Sequence, residues 1–338
     1  MTGDRALWFL LPEGFDDPVR VSGGNVYDGR VRDGLQQLGW SPRVAAVSDA
    51  ASTEAALASI PRGSIALVDG LVAGWAPSAV EDASRRVAVV ILAHMVSAAF
   101  PATTQQAVRD ESRALRAAAR VIVTSEWTAA ELARRELVDP ALVTVAVPGS
   151  VDGSAGLRAV DHRELLCVGV VSAHKGQDVL LRALAALPDD GWSCTLAGSR
   201  TTDPGFADRI SADAERFGGR VRMPGVLGEA DLDSAYARAG LLVAPSRTES
   251  YGMAIADARR RGLPVIASAV GGIPEAVAGG GALLVKNGDA GALSLALHRW
   301  MSDSALRATL RSEASRARGT APRWADTVAR IDETLAAL

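Results

Sequence analysis

Short apolar runs alternate with amphipathic stretches from one end of the chain to the other, which is the pattern of parallel strands covered by helices. In the first half the runs are Ala6–Leu11, Arg43–Val47, Ile65–Val68, Val87–Ala93, Arg120–Thr124 and Leu142–Val147. The second half restarts the pattern with Leu165–Val170, Ser193–Ala197, Arg220–Met223, Leu241–Ala244, Val265–Ala267 and Gly281–Val285. Between them, Pro148 to Gly156 is rich in turn residues and has no hydrophobic period, so it reads as a linker. The expected division is therefore residues 1–155 and 156–321, followed by a last segment, 322–338. That segment carries Trp324, Val328, Ile331 and Leu335 on one helical face, so it must pack on something. Two doubly wound domains facing each other across a cleft would bring the carboxyl ends of both sheets to a ligand.

The loops after the predicted strands carry the candidate chemistry. After Leu241–Ala244 comes Pro245-Ser-Arg-Thr-Glu249, and Ser250-Tyr251-Gly252 is expected to open a helix whose free N–H groups can bind phosphate. Glu249 stands at that entrance and Asp257 follows two turns in. Arg259-Arg260-Arg261 with Gly262 and Pro264 behind is a helix stop, and the three arginines read as a solvated helix end. Gly169 to Gly176 again links a strand to a helix, with Lys175 at the helix start. A lysine there opposes the helix dipole, which a bound anion would explain better than helix stability does. In the first half, Gly23-Gly24 precedes a helix running to Leu38 and allows close backbone approach to a phosphate, or is an ordinary loop. His94 ends a very hydrophobic strand, which would lift it to the cleft edge. Ser125 starts a helix and is as readily its N-cap as a ligand contact.

Composition narrows the function classes. The 338 residues are 48% apolar and 22% charged with a net charge of −3, so no basic field points to nucleic acid or to an anionic membrane. Cys167 and Cys194 fall in predicted buried strands and read as small core residues. The 4 histidines lack metal-ligand spacing, and no metal is expected. The apolar run at residues 6–11 is too short to span a bilayer, so the expectation is a cytoplasmic protein, monomer or homodimer, without stable membrane insertion.

Taken together these residues resemble the retaining glycosyltransferases of family 4, also called group 1, which have the α/β GT-B fold. The resemblance is carried by Glu249 with seven residues before Asp257, Gly262-Leu-Pro-Val-Ile-Ala-Ser268, Gly271-Gly-Ile-Pro-Glu275, Lys175-Gly176 and Asn287-Gly-Asp289. In the first half Ser22–Asp28, the strand ending at His94, Val123–Trp127 and Val147–Asp152 match more loosely. It implies two facing Rossmann-like domains with a C-terminal helix crossing back to the first. A nucleotide diphosphate-sugar, a UDP- or GDP-sugar, would be the donor, and no cofactor would be needed; because the first domain has no basic amphipathic helix or Lys/Arg cluster to dock on anionic lipid, the acceptor is expected to be a soluble small molecule. Glu249 would then contact the transferred sugar, Asp257 the ribose, and Lys175 with Ser172 the diphosphate. Ser250, Tyr251 and Gly252 would offer N–H groups, Gly23 and Gly24 would approach the phosphates, and Gly225 and Val226 would frame the base. Glu249, His94 and Lys175 would be catalytic, and Asn25, Tyr27, His94 and Ser125 would meet the acceptor. Two positions depart from the pattern: Asp257 stands for a glutamate, and Val170 for an arginine, with Arg200 and His174 as nearby cations in the sequence. A nucleotide-sugar epimerase of the same fold and a non-catalytic nucleotide-sugar-binding module are the alternative readings.

Overall fold

The computed structural model describes residues 5–100, 103–150, 161–188 and 191–338. The first sheet is built from β1 (Arg5–Pro12), β2 (Trp40–Val47), β3 (Ile65–Asp69), β4 (Ala88–Ala93), β5 (Arg120–Val123) and β6 (Val143–Val145). The second is built from β7 (Glu164–Val168), β8 (Ser193–Ala197), β9 (Val221–Gly225), β10 (Leu241–Ala244), β11 (Val265–Ser268) and β12 (Ala282–Val285). Every pairing is parallel. The strands are those the apolar runs predict, because parallel strands are buried on both faces and read as continuous hydrophobic stretches.

The strand orders are β2-β1-β3-β4-β5-β6 and β12-β11-β10-β7-β8-β9. Each sheet is thus wound in both directions from an inner strand, β1 in the first and β7 in the second. The direction of winding reverses between β1 and β3, and again between β7 and β10. In doubly wound sheets these switch points are where loops diverge and ligands bind.

The chain divides into two compact units. The first takes its residues from 1–16, 24–148 and 323–338, and the second from 17–23 and 149–322. Segment 17–23, expected in the first domain, therefore groups with the second, where Ser199 Oγ donates to the Val19 carbonyl at 3.1 Å. The expected boundary between residues 155 and 156 lies outside the described residues.

The last helix, Trp324–Ala336, completes the first unit. Val328, Ile331 and Leu335 are buried in one cluster with Leu7, Phe9, Tyr27 and Leu35, as the helical period requires. Its polar side is also engaged: Trp40 Nε1 donates to Asp332 Oδ1 at 2.7 Å and Thr327 Oγ1 to the Val147 carbonyl at 2.6 Å. No helix among the described residues is long and apolar enough to cross a membrane.

The arginine run Arg259–Arg261 is not a solvated helix end. Arg259 is 5% exposed and donates to the carbonyls of Ala276 and Ala278, which lie at and just beyond the C-terminus of the short helix Ile273–Ala276. Orphan carbonyls at a helix end need donors, and a guanidinium supplies several at once. Arg261 reaches Asp233 at 2.9 Å and lies over the Tyr236 ring.

Candidate functional site

In the second unit, the loops that follow β7 and β10 meet at the switch point. The first closes with a short turn, Ala173–Lys175, and Gly176 then caps the helix Gln177–Ala185. Lys175 therefore precedes the helix and does not belong to its first turn. Gly176 has φ of 72°, and a Cβ there would lie 2.1 Å from the Pro245 carbonyl oxygen, so only glycine lets this turn rest on the loop after β10.

Arg247 fastens the two loops together. Its N–H donates to the His174 carbonyl at 2.7 Å, and its guanidinium donates to the Ala173 carbonyl and to both Asp178 oxygens at 2.7 and 2.6 Å. Burial works against charge on Asp178, yet the Arg247 hydrogen bonds hold its carboxyl below the usual range. Asn287 adds a bond from Nδ2 to the Arg247 carbonyl at 3.0 Å.

This clamp brings Lys175 Nζ to 2.6 Å from Glu249 Oε2, and Ser246 Oγ donates to the same oxygen at 3.2 Å. From the β11 side, Gly272 N–H donates to the Glu249 carbonyl at 3.0 Å. Cβ atoms on Gly271 and Gly272 would lie 1.8 Å from the Glu249 carbonyl oxygen and 2.2 Å from that of Ser250, so this glycine pair exists to let two backbones touch.

The helix after Glu249 begins at Met253, with Gly252 as its N-cap, and not at Ser250 as the sequence predicts. The left-handed φ of Gly252, 105°, makes the break. Ser250 and Tyr251 lie in the preceding loop. Tyr251 is buried, and burial followed by Glu275 pushes its phenol up to about 12. Asp257 sits inside the helix with its carboxylate 4.0 Å from Arg261 Nη1. Gly225 and Val226 stand at the end of the edge strand β9, where the Gly225 carbonyl accepts from Gly198 at 2.8 Å.

Ser172 Oγ lies 3.0 Å from His174 Nδ1, and burial together with the Lys175 charge pushes His174 down to about 4, so it is neutral at pH 7. Arg200 is turned toward Asp208 at 3.9 Å, and Val170 is buried.

The helix after β1 is Gly23–Gln37, which belongs to the first unit from Gly24 onward, so Gly23, Gly24 and Asn25 form its first turn and the glycines do not precede it. One turn on, Tyr27 and Asp28 are buried. His94, just beyond β4, has Nε2 at 2.8 Å from Asp28 Oδ1 and 3.4 Å from Asp69 Oδ2. Asp69 ends β3 and is fixed as the N-cap of the helix Gly70–Trp75, where Oδ1 accepts from Leu71 and Val72 at 2.7 and 3.1 Å. Burial works against charge on His94, but the Asp28 carboxylate, and behind it Asp69, raise it to about 9. Burial and the Asp28 charge push Asp69 upward in turn.

Asp28 and Asp69 are the residues that sequence reasoning misses. The available signal is Asp69 itself, a carboxylate closing an apolar strand at its C-terminal end just before Gly70. The three donor atoms lie within 4.8 Å of one another, a spacing a cation site could use. Here hydrogen-bonding distances join ring nitrogen to carboxylate, so we read a histidine held by two acids.

Two expected acceptor contacts are corrected. Tyr27 is 1% exposed, with its hydroxyl donating to the Ala146 carbonyl at 2.8 Å and its ring edge-on to His94 at 5.1 Å, so it supports the histidine from the core. Ser125 is 0% exposed and caps the helix Glu126–Arg134, accepting from Thr128 N–H at 3.0 Å. Ser125→Ala should therefore cost about 1 kcal/mol of stability in chemical denaturation and leave the KM for acceptor unchanged. A selective rise in that KM would restore Ser125 to the site.

Residues 155–317 match the family model described as glycosyl transferases group 1. D-inositol 3-phosphate glycosyltransferase of Mycobacterium sp. (strain JLS) is 34% identical over 185 residues, 50% of this chain and 42% of that relative. The enzyme of the same name from Streptomyces bingchenggensis (strain BCW-1) is 32% identical over 227 residues, 61% of this chain and 50% of the relative. The chain thus spans about half the length of these curated relatives. Among solved structures, sucrose-phosphate synthase from Thermosynechococcus elongatus is similar with a TM-score of 0.81 at 21% identity, over 97% of this chain and 98% of that one. Anabaena HepE, solved with UDP and glucose, is similar with a TM-score of 0.77 at 20% identity, over 98% and 99%. At these identities the likeness concerns the fold, which is GT-B.

Proposed function

Since residues 155–317 match the family model of the glycosyl transferases group 1, we propose that the protein moves a sugar from a nucleotide diphosphate-sugar to a hydroxyl of a small acceptor with retention of configuration. The observation that carries this reading is the Lys175–Glu249 pair at the switch point between β7 and β10. A cation and a carboxylate on adjoining strand-end loops suit the two ends of such a donor. Lys175 and the N-terminus of the helix Met253–Arg260 take the charge of the departing diphosphate. Glu249 orients the sugar's hydroxyls and offsets positive charge developing at its anomeric carbon. Asp257 addresses the ribose.

With dipoles and a lysine on the leaving group, a divalent metal is not needed. UDP-sugars are the first donors to test, given the UDP complexes of the similar HepE structures. D-inositol 3-phosphate, the substrate in the name of the similar glycosyltransferases, is the first acceptor to test, beside unphosphorylated polyols.

The test is incubation of the protein with UDP-glucose or GDP-mannose and each acceptor, with and without EDTA. Release of nucleoside diphosphate and the anomeric configuration of the product are followed by NMR. The expected result is acceptor-dependent release, an α-product from an α-donor, and no effect of EDTA. Conversion of donor alone would favour the epimerase reading, and binding without turnover the binding-module reading. A strict metal requirement would remove the leaving-group account.

A further inference from the structure

His94 invites assignment as a general base, since an unperturbed imidazole titrates near neutrality. Its surroundings argue otherwise. Among the described residues, the titratable groups that face it are Asp28 and Tyr27 from the helix after β1, and Asp69 from the end of β3. Both carboxylates are almost fully buried, and both approach Nε2, the nitrogen a base would need unprotonated if it were to use that side of the ring. Asp28 Oδ2 is buried and finds no hydrogen-bond partner among the described residues, so its negative charge is offset by little besides the imidazole next to it.

The geometry is also rigid. Asp69 is tied to two backbone N–H groups, and the Tyr27 ring meets the imidazole edge-on at 74° while its hydroxyl is tied to Ala146. A buried carboxylate pair with one bound cation is a low-dielectric arrangement in which removing the cation's charge is costly.

We infer that Asp28 and Asp69 are positioning residues that hold His94 in a single orientation as an imidazolium, so that His94 meets its substrate as a hydrogen-bond donor and not as a base. With Nε2 committed to the carboxylates, Nδ1–H is the donor that remains. The group as a whole then carries one positive and up to two negative charges. This suits a role beside developing positive charge better than a role in binding an anion. The consequence for turnover rests on the glycosyl-transfer reading; the protonation state of His94 does not.

The chain has 4 histidines, so ring-labelled histidine NMR on the full protein resolves them, with His94→Gln giving the assignment. His94 should remain protonated through pH 8, and Asp28→Asn should lower its titration midpoint by at least about one pH unit, a tenfold change in proton affinity. If Asp28→Asn does not fold, Asp69→Asn is the second variant. Its side-chain oxygen can still accept the Leu71 and Val72 N–H bonds, and the midpoint should fall in the same direction. The alkaline limb of the transfer rate should shift down with the midpoint, which a purely structural role would not produce. A wild-type His94 that is neutral at pH 7, a midpoint unmoved by either variant, or a titration abolished by stoichiometric Zn²⁺ would each overturn the inference. Absence of any transfer would count against the proposed function alone, because the titration is read without substrate.

Discussion

Lys175→Ala should weaken nucleoside diphosphate binding by about 1.5–3 kcal/mol, the range for hydrogen bonds to charged groups, while leaving the affinity for the nucleoside alone unchanged. Two effects act in the same direction. The variant removes the donor, and it strips Glu249 of the cation 2.6 Å away, leaving a carboxylate to face the incoming phosphates. Calorimetry with diphosphate and nucleoside separates the cases. An equal loss for both ligands would mean that Lys175 holds the loop after β7 and not the phosphates.

Glu249→Gln should lower turnover by at least about tenfold, or roughly 1.4 kcal/mol of barrier. The affinity for nucleoside diphosphate should stay level or rise. Lys175 is paired with Glu249 at 2.6 Å, so the phosphates must compete for it; glutamine removes the competitor. The Gly272 bond to the Glu249 carbonyl is a backbone bond and survives the change, as does the close packing of Gly271 and Gly272. Equal losses in turnover and diphosphate affinity would assign Glu249 to the loop's architecture.

How much of this is legible in the sequence depends on the range of the interaction concerned. Strands such as Ser193–Ala197 and Leu241–Ala244 coincide with their apolar runs because burial on both faces of a sheet leaves a local signature. The face formed by Trp324, Val328, Ile331 and Leu335 is equally local, although which surface it covers is not. Helix starts are less legible: Ser250 and Gly252 both suit a helix entrance, and only the φ of Gly252 decides where it begins.

The side-chain groupings are the least legible. Asp28, Asp69 and His94 lie 41 and 25 residues apart in sequence and meet because β1, β3 and β4 are neighbours in one sheet. Arg247 reads as a loop residue until Asp178 is brought beside it. Arg259 reads as a solvent cation because its partners are carbonyls, which no residue letter reveals.

The helix Trp324–Ala336 imposes an order on synthesis. Val328, Ile331 and Leu335 share a buried cluster with residues of β1 and the first helix, so the first-made unit cannot finish its core until this helix has left the ribosome. The second unit's described residues end at Pro322, and its core can close sooner. Domains fold as units when their chain is complete. The part translated first is therefore the part that matures last, and it waits with an uncovered apolar sheet face that a chaperone or a neighbouring nascent chain can reach.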